Sequence, residues 1–325
     1  MTKTRKPRTK QQPQATPGSP FGRAIDDLRQ PRSAFPDVSP RWLASAGAIV
    51  VLGALACAWL TLCLLYWQGS WQLLYHPRAP ITRTPASLDL PYEPIHFATT
   101  ETGKTQLTGW WIPAGDSSPD SAPRWIVLYL HGADGNLSDT LETLAALHRH
   151  NLTVLAVDYR GYGQSDPLRP NERQLRQDAE WSLTYLTLIR HIAPANILIY
   201  GTGLGANLAA QLASDHGELP GVILDQPLQQ PMAPVFNDPR SRLVPARWLV
   251  ADRFDLTAPS GRLQIPSLWL EAQSPAPATA QVPAAYGAVH VAKTLVWLRP
   301  PTCADPHFAE ALHRWLDDLP KPATH

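Results

Sequence analysis

The chain has 325 residues, of which 44% are hydrophobic and 17% are charged, and its formal net charge is only +1. This length is enough for one large domain or two small ones, and the balanced charge gives no reason to expect a nucleic-acid partner. Cys57 and Cys63 fall in an apolar segment, and Cys303 stands alone without zinc-type spacing. We therefore expect neither a metal nor an organic cofactor.

Residues 1–41 are rich in Pro, Gln, Ser and Thr and contain few large apolar side chains. Such a composition cannot bury enough surface to offset the entropy of ordering, so it predicts a disordered tail. The tail is basic, with nine Lys and Arg residues against three Asp residues.

Residues 42–67 form a run of 26 residues without a single charge. A helix of that length crosses a hydrocarbon core of about 30 Å, and Trp42, Tyr66 and Trp67 stand at its ends, where interfacial aromatic residues are expected. The basic residues before the run predict a cytoplasmic N-terminus. The alternatives, a cleaved signal peptide or a lipoprotein signal at Cys57, fit less well because the run is too long. We predict a single membrane anchor in the bilayer, with the rest of the chain on the non-cytoplasmic, periplasmic side of an inner membrane.

A proline-rich connector at 68–94 precedes a region, 95–319, in which apolar runs of strand length alternate with helical patterns. That alternation predicts a parallel sheet covered by helices on both faces, followed by a tail at 320–325. Asn171 and Gln174 suggest a capping box, and residues 226–261 lack a regular pattern, as a lid over a site would. The predicted strands are 95–99, 106–112, 125–130, 153–157, 197–200, 221–225, 266–271 and 293–299, and the helices are 137–150, 171–191, 206–213 and 306–319.

Three glycines at two-residue spacing link the strand at 197–200 to the helix that follows: Gly201, Gly203 and Gly205. A strand that turns directly into a helix through small residues is typical of a nucleophile elbow, G-x-S-x-G. The nucleophile belongs at the middle position, and Gly203 has no side chain to supply it. The same stretch therefore predicts a fold and argues against its usual chemistry.

Three motifs in order resemble the α/β-hydrolase superfamily: L-Y-L-H-G-A-D-G-N at 128–136, V-D-Y-R-G-Y-G-Q-S at 157–165 and Y-G-T-G-L-G-A at 200–206. The region from W-Q-L-L-Y-H-P at 71–77 onward resembles the branch with an N-terminal membrane anchor and an esterase-like or serine-peptidase-like domain. The resemblance spans about 71–319. It implies an α/β-hydrolase fold, a mostly parallel central sheet with helices on both faces, preceded by one transmembrane helix.

The resemblance also assigns site residues. The amides of Leu204 and Ala133 are implied as oxyanion-hole donors, His131 as a structural histidine and His307 as the possible base. Ser274 stands where the catalytic acid is expected, so that position is lost as well. Glu271 and Asp225, each at a strand end, remain as possible substitute acids.

Three functions follow from this pattern. The first is a catalytically degraded hydrolase that binds an acyl-like or ester-like small molecule, or a protein partner, in the former pocket. The second is an active ester or peptide hydrolase with a displaced nucleophile, Thr202 or Cys303, and His307 as base. The third is a structural protein whose outer domain is a docking surface.

Overall fold

The computed structural model describes residues 39–115, 125–273 and 282–321. Most of the predicted N-terminal tail and the end of the C-terminal tail therefore lie outside the described residues, as does Ser274. The chain divides into two compact units, Met1–Trp59 and Leu60–His325.

The first described element is helix α1, Pro40–Gly69, which contains the whole uncharged run. Large apolar side chains along it are exposed, among them Ile49, Leu52 and Leu55. Within the described residues, the stretch Pro40–Leu73 is the one helical segment long and apolar enough to cross a membrane.

An eight-stranded sheet forms the centre of the second unit, with the strand order β10-β9-β8-β7-β4-β6-β3-β2. Six neighbouring strands pair in parallel, in the order β6, β4, β7, β8, β9 and β10. At the other edge the pairing is antiparallel, between β2 and β3 and between β3 and β6. A separate short parallel pair joins β1 to β5. The strands are β1 His76–Pro77, β2 Glu93–Phe97, β3 Leu107–Ile112, β4 Ile126–Leu130, β5 Asp134–Gly135, β6 Thr153–Asp158, β7 Ile197–Thr202, β8 Val222–Asp225, β9 Ser267–Ala272 and β10 Lys293–Leu298.

Helices cover both faces of this sheet. Successive strand residues point to opposite faces, so they pack in two different apolar cores. Leu128 and Leu130 of β4 pack in the core that contains Leu175 and Leu208. Tyr129 packs in the other core, with side chains of the helices at 141–149 and 306–317. The helices after α1 are α2 Leu141–Arg149, α3 Glu172–Thr184, α4 Leu204–Asp215, α5 Ala233–Phe236, α6 Ala246–Leu249, α7 Thr257–Arg262, α8 Ala284–Ala288 and α9 Pro306–Asp317. The predicted fold class is confirmed.

Two predicted helices differ from the structure. The helix expected at 137–150 begins with a separate 3₁₀ turn, Leu137–Asp139, because Asn136 and Asp139 form a reciprocal capping box there. The helix expected at 171–191 is regular only to Thr184 and then continues as a π-helical turn, Tyr185–Ile189.

The capping box expected at Asn171 is only half formed. The Asn171 side chain accepts the backbone N–H of Gln174 at 3.0 Å, as an N-cap should. The Gln174 side chain donates to the Arg160 carbonyl at 3.1 Å instead of returning to Asn171. The loop after β6 captures the glutamine, which sequence spacing alone does not reveal.

The segment predicted as a lid, 226–261, contains the short helices α5, α6 and most of α7 together with a 3₁₀ turn, Pro239–Arg242. Each is six residues or fewer, too short to impose an apolar periodicity that a sequence pattern would show.

Candidate active site

Gly203 lies at the turn between β7 and α4, with φ 55° and ψ −121°. An L-residue rarely adopts a positive φ, and strained turns of this kind are typical of a nucleophile elbow. The Gly203 N–H donates to the Asp225 carbonyl at 2.9 Å, which fixes the turn to the end of β8. The turn that the sequence predicts is therefore present, and its middle residue is a glycine at positive φ.

The two outer glycines are required by packing, and the middle one is not. A Cβ on Gly201 would lie 2.2 Å from the Gly205 carbonyl oxygen, and a Cβ on Gly205 would lie 2.2 Å from the Leu130 carbonyl oxygen. On Gly203, an added Cβ would meet only the Gly132 Cα, at 4.0 Å. Space for a side chain at position 203 remains open.

Two backbone amides beside the elbow donate no hydrogen bond to any residue that the structure describes. Leu204 is the first residue of α4, so its N–H has no intrahelical acceptor. Ala133 is held through its carbonyl oxygen, which accepts from the His76 N–H at 3.0 Å and from the Tyr162 hydroxyl at 2.9 Å. In the described ranges, neither the Leu204 nor the Ala133 amide donates a hydrogen bond. Free amides are what an oxyanion hole requires.

His131 is buried in the loop that carries Ala133 and has a structural environment. Its Nδ1 lies 2.8 Å from the Gly132 carbonyl oxygen, and its ring stacks on Tyr159 and Tyr162, with centroids 4.3 and 5.0 Å away. Burial lowers the pKa of His131 to about 4. The ring is therefore neutral at physiological pH and holds the loop.

Asp225 is buried at the end of β8 and is already occupied by hydroxyl donors. Its carboxylate accepts from the Tyr200 hydroxyl at 2.8 Å and from the Thr302 hydroxyl at 2.9 and 2.8 Å. Burial raises the pKa of Asp225. None of the described hydrogen bonds joins this carboxylate to a histidine. Sequence reasoning missed Thr302, which brings the turn after β10 next to the elbow.

Glu271 lies one residue before the end of β9, with no partner for its Oε1 atom among the described residues. Burial, with a smaller contribution from the nearby Asp225 carboxyl, raises the pKa of Glu271 to about 7. Its position beside Asp225 fits the expectation of a carboxyl at the strand end. The structure gives it no described contact with His307.

Glu271→Gln is expected to change how stability depends on pH. Because the folded pKa of about 7 lies above the usual 4.5, the folded state binds this proton more tightly, so wild-type stability falls as pH rises from about 4.5 to about 7. At pH 8 we expect the variant to be more stable than wild type by about 1 kcal/mol, a figure kept small because partial solvent access screens the carboxylate. At pH 4 we expect no gain in stability. Urea denaturation at both pH values checks this. The exposed Glu101→Gln is the control, and an equal gain in that variant would contradict the assignment.

The structure places His307 at the start of α9, with 72% of its side chain exposed. Its Nδ1 lies 3.0 Å from the Asp305 carboxylate, which also accepts the backbone N–H groups of His307 and Arg299. His307 lines a cavity of about 520 Å³ together with Trp297 and Arg314, and that cavity is lined by neither Gly203 nor Leu204. The structure therefore does not bring the expected base together with the elbow.

The structure places the two candidates for a displaced nucleophile, Cys303 and Thr202, in different surroundings. Cys303 packs against the core beside α2 and α9, and burial raises the pKa of its thiol. A raised pKa reduces the thiolate fraction, which is the nucleophilic form. Thr202 is the last residue of β7, opposite Asp225 in the sheet register.

Comparisons with known proteins agree with the fold. The family model described as serine aminopeptidase, S33, matches residues 121–277. The uncharacterized protein Rv2307c of Mycobacterium tuberculosis is 33% identical over 168 residues, covering 51% of this chain and 57% of the relative. The chain spans about half the length of the curated relatives it matches.

Two solved structures share the architecture. An alpha-beta hydrolase from Vibrio vulnificus has a TM-score of 0.52 and 22% identity, with 70% of this chain and 79% of that chain covered. The Pyrococcus furiosus esterase Pf2001 has a TM-score of 0.55 and 17% identity, with 75% and 97% covered. At these identities the likeness shows the fold alone.

Proposed function

We propose that this chain is a catalytically degraded member of the α/β-hydrolase superfamily that binds an acyl-bearing small molecule at the former nucleophile elbow; the family-model match and the shared fold support this. One observation carries the proposal. The elbow backbone at positive φ and two amides that donate no hydrogen bond in the described part of the chain, those of Leu204 and Ala133, surround a position that has no nucleophile and remains open.

The surrounding groups support loss of catalysis. Removing the nucleophile of a serine hydrolase costs on the order of 10⁶ in turnover, and Gly203 removes it here. The described contacts of His307 lead to Asp305, and those of the Asp225 carboxylate lead to Tyr200 and Thr302. Neither Asp225 nor the Gly203 turn contacts His307 among the described residues, so the contacts that link acid, base and nucleophile in a triad are not found there.

The ligand class follows from the donors. The Leu204 N–H lies at the start of a 12-residue helix, and the Ala133 N–H lies in the loop after β4. A helix start favours an oxygen that carries negative charge or a strong dipole, and a second N–H donor beside it adds to that preference. The carbonyl oxygen of an ester and the carboxylate of a fatty acid both provide one. Without a nucleophile the ester is bound and released unchanged.

The proposal includes a membrane setting for the chain. Helix α1 is long and apolar enough to span a bilayer, and the basic residues before it favour a cytoplasmic N-terminus. The hydrolase-like domain then lies on the non-cytoplasmic side, where we place it in the periplasm.

The ligand proposal is tested by titrating the full-length protein in detergent with hexanoate and with ethyl hexanoate, followed by calorimetry. Gly203→Leu places a side chain in the open position, and we expect it to weaken binding at least about tenfold, the factor that corresponds to about 1.4 kcal/mol. Gly103→Leu is the matched control, because Gly103 also has a positive φ, of 80°, and open space around it. Equal binding by wild type and Gly203→Leu would overturn the proposal.

A further inference from the structure

A second cavity, of about 550 Å³, lies where the last turn of α1 meets the lid segment, and we call it the helix-end cavity. Trp67 and Trp71 line it from the helix side, and Met232 and Leu249 line it from the lid segment. Most of this wall is apolar. None of the elbow glycines lines this cavity.

The end of α1 is fixed to this cavity by specific hydrogen bonds. The Tyr66 hydroxyl is buried and donates to the Val235 carbonyl at 2.7 Å. The Arg169 guanidinium donates to the Trp67 carbonyl at 2.9 Å and lies 5.7 Å from the Trp67 ring centroid. The cavity is therefore held at the level where the apolar helix ends.

The charge of the cavity is positive. Arg169 and Arg173 both line it, and its one carboxylate, Asp252, is already occupied. That carboxylate accepts from the Tyr75 hydroxyl at 2.7 Å and from the Glu172 N–H at 3.1 Å. Over the residues that the structure describes, the side chain of Arg173 makes neither a hydrogen bond nor an ion pair. An unpaired guanidinium beside an apolar wall suits an anion attached to a hydrocarbon.

We propose that the helix-end cavity binds an anionic phospholipid of the membrane that α1 spans. The lipid phosphate lies between Arg169 and Arg173, and the first part of an acyl chain lies along Met232 and Leu249. The proposal rests on the proposed membrane anchor and is independent of the ligand proposed at the elbow.

Exposed side chains beside the cavity favour a lipid over a free anion. Trp248, on α6 next to Leu249, is 91% exposed, and Leu243 is 61% exposed. Tryptophan is enriched at membrane–water interfaces, where its ring is solvated by lipid headgroups. Arg242 and Arg247 in the same segment add positive charge, which anionic lipid surfaces attract, whereas Arg240 is paired with Asp238.

The test uses the full-length protein in nanodiscs of phosphatidylcholine, with and without phosphatidylglycerol. Retained lipid is measured by mass spectrometry and stability by thermal denaturation. We expect phosphatidylglycerol to be retained and to raise the melting temperature of the wild type, and Arg173→Gln to weaken retention about tenfold. Arg173 holds nothing else in the described structure, so the variant is expected to fold.

Arg176→Gln is the matched control, because it removes the same charge from the same helix at a residue that does not line the cavity. Its lipid retention should equal that of wild type. The proposal is overturned if wild type shows no preference for phosphatidylglycerol or if Arg176→Gln loses retention as Arg173→Gln does. An equal temperature shift with inorganic phosphate alone would also overturn it.

Carbonate extraction separates this proposal from the others. Release of the chain from membranes would refute the anchor and the lipid site together, whereas resistance to carbonate without lipid preference refutes the lipid site alone. Hexanoate binding at the elbow should be unchanged in Arg173→Gln.

Discussion

Gly205→Ala is expected to prevent folding of the domain or to destabilise it by more than about 4 kcal/mol, the range reserved for severe backbone conflicts. The added Cβ would lie 2.2 Å from the Leu130 carbonyl oxygen and 2.4 Å from that of His131. Both atoms belong to the backbone where β4 leads into the loop that carries Ala133. The pairing of β4 with β7 holds this backbone in place. No rotamer change relieves the clash, so α4 would have to move away from the sheet.

Gly203→Ala is the informative comparison, because it lies two residues away in the same turn. Its Cβ finds open space, and the cost is limited to the positive φ, about 1–2 kcal/mol. Gly261→Ala, whose Cβ would meet only the Ala288 carbonyl oxygen at 3.8 Å, should be close to neutral. Urea denaturation of the three variants gives the order of their stabilities. A native midpoint for Gly205→Ala would show that the elbow is not packed as described.

The glycine pattern explains how much of this fold the sequence predicts. Gly201 and Gly205 stand where backbone atoms approach within 2.2 Å of a missing Cβ, so no larger residue is compatible with the turn. The continuous apolar strands on either side are what a sheet buried on both faces requires. The elbow, the mostly parallel sheet and the helices on both faces follow from these local constraints.

The turn after β10 was not predictable in the same way. Thr302 bonds to Asp225 across 77 residues of sequence, and no local pattern indicates that pair. His307 had a partial signal, since Asp305 followed by Pro306 is a typical helix start. Asp305, the N-cap residue of α9, also lies within hydrogen-bond distance of the His307 imidazole. The described contacts of this side chain therefore stay at the start of α9.

The predicted site residues therefore separate into two groups. Leu204 and Ala133 are predicted to act through backbone amides, whose positions the fold itself determines. The acid and the base act through side chains whose direction depends on tertiary contacts, and the expected acid position, Ser274, lies outside the described residues. Glycine at position 203 also avoids the strain, of about 1–3 kcal/mol, that a residue with a side chain would have at this positive φ.

Fluorophosphonate labelling measures most directly whether the chain retains a serine-type nucleophile. We expect full-length wild type to remain unlabelled, because Gly203 offers no hydroxyl and burial raises the pKa of the Cys303 thiol, which lowers its thiolate fraction. Gly203→Ser is expected to label slowly at most, since no described contact brings His307 to the elbow. Gly103→Ser controls for a serine at positive φ.

The outcomes distinguish the functions directly. An unlabelled wild type agrees with a degraded hydrolase that retains its elbow as a binding site. Rapid labelling of Gly203→Ser would show that a base reaches the elbow and that only the nucleophile was lost. A labelled wild type, with the adduct mapped to Thr202 or Cys303, would contradict the proposed loss of catalysis and establish a displaced nucleophile.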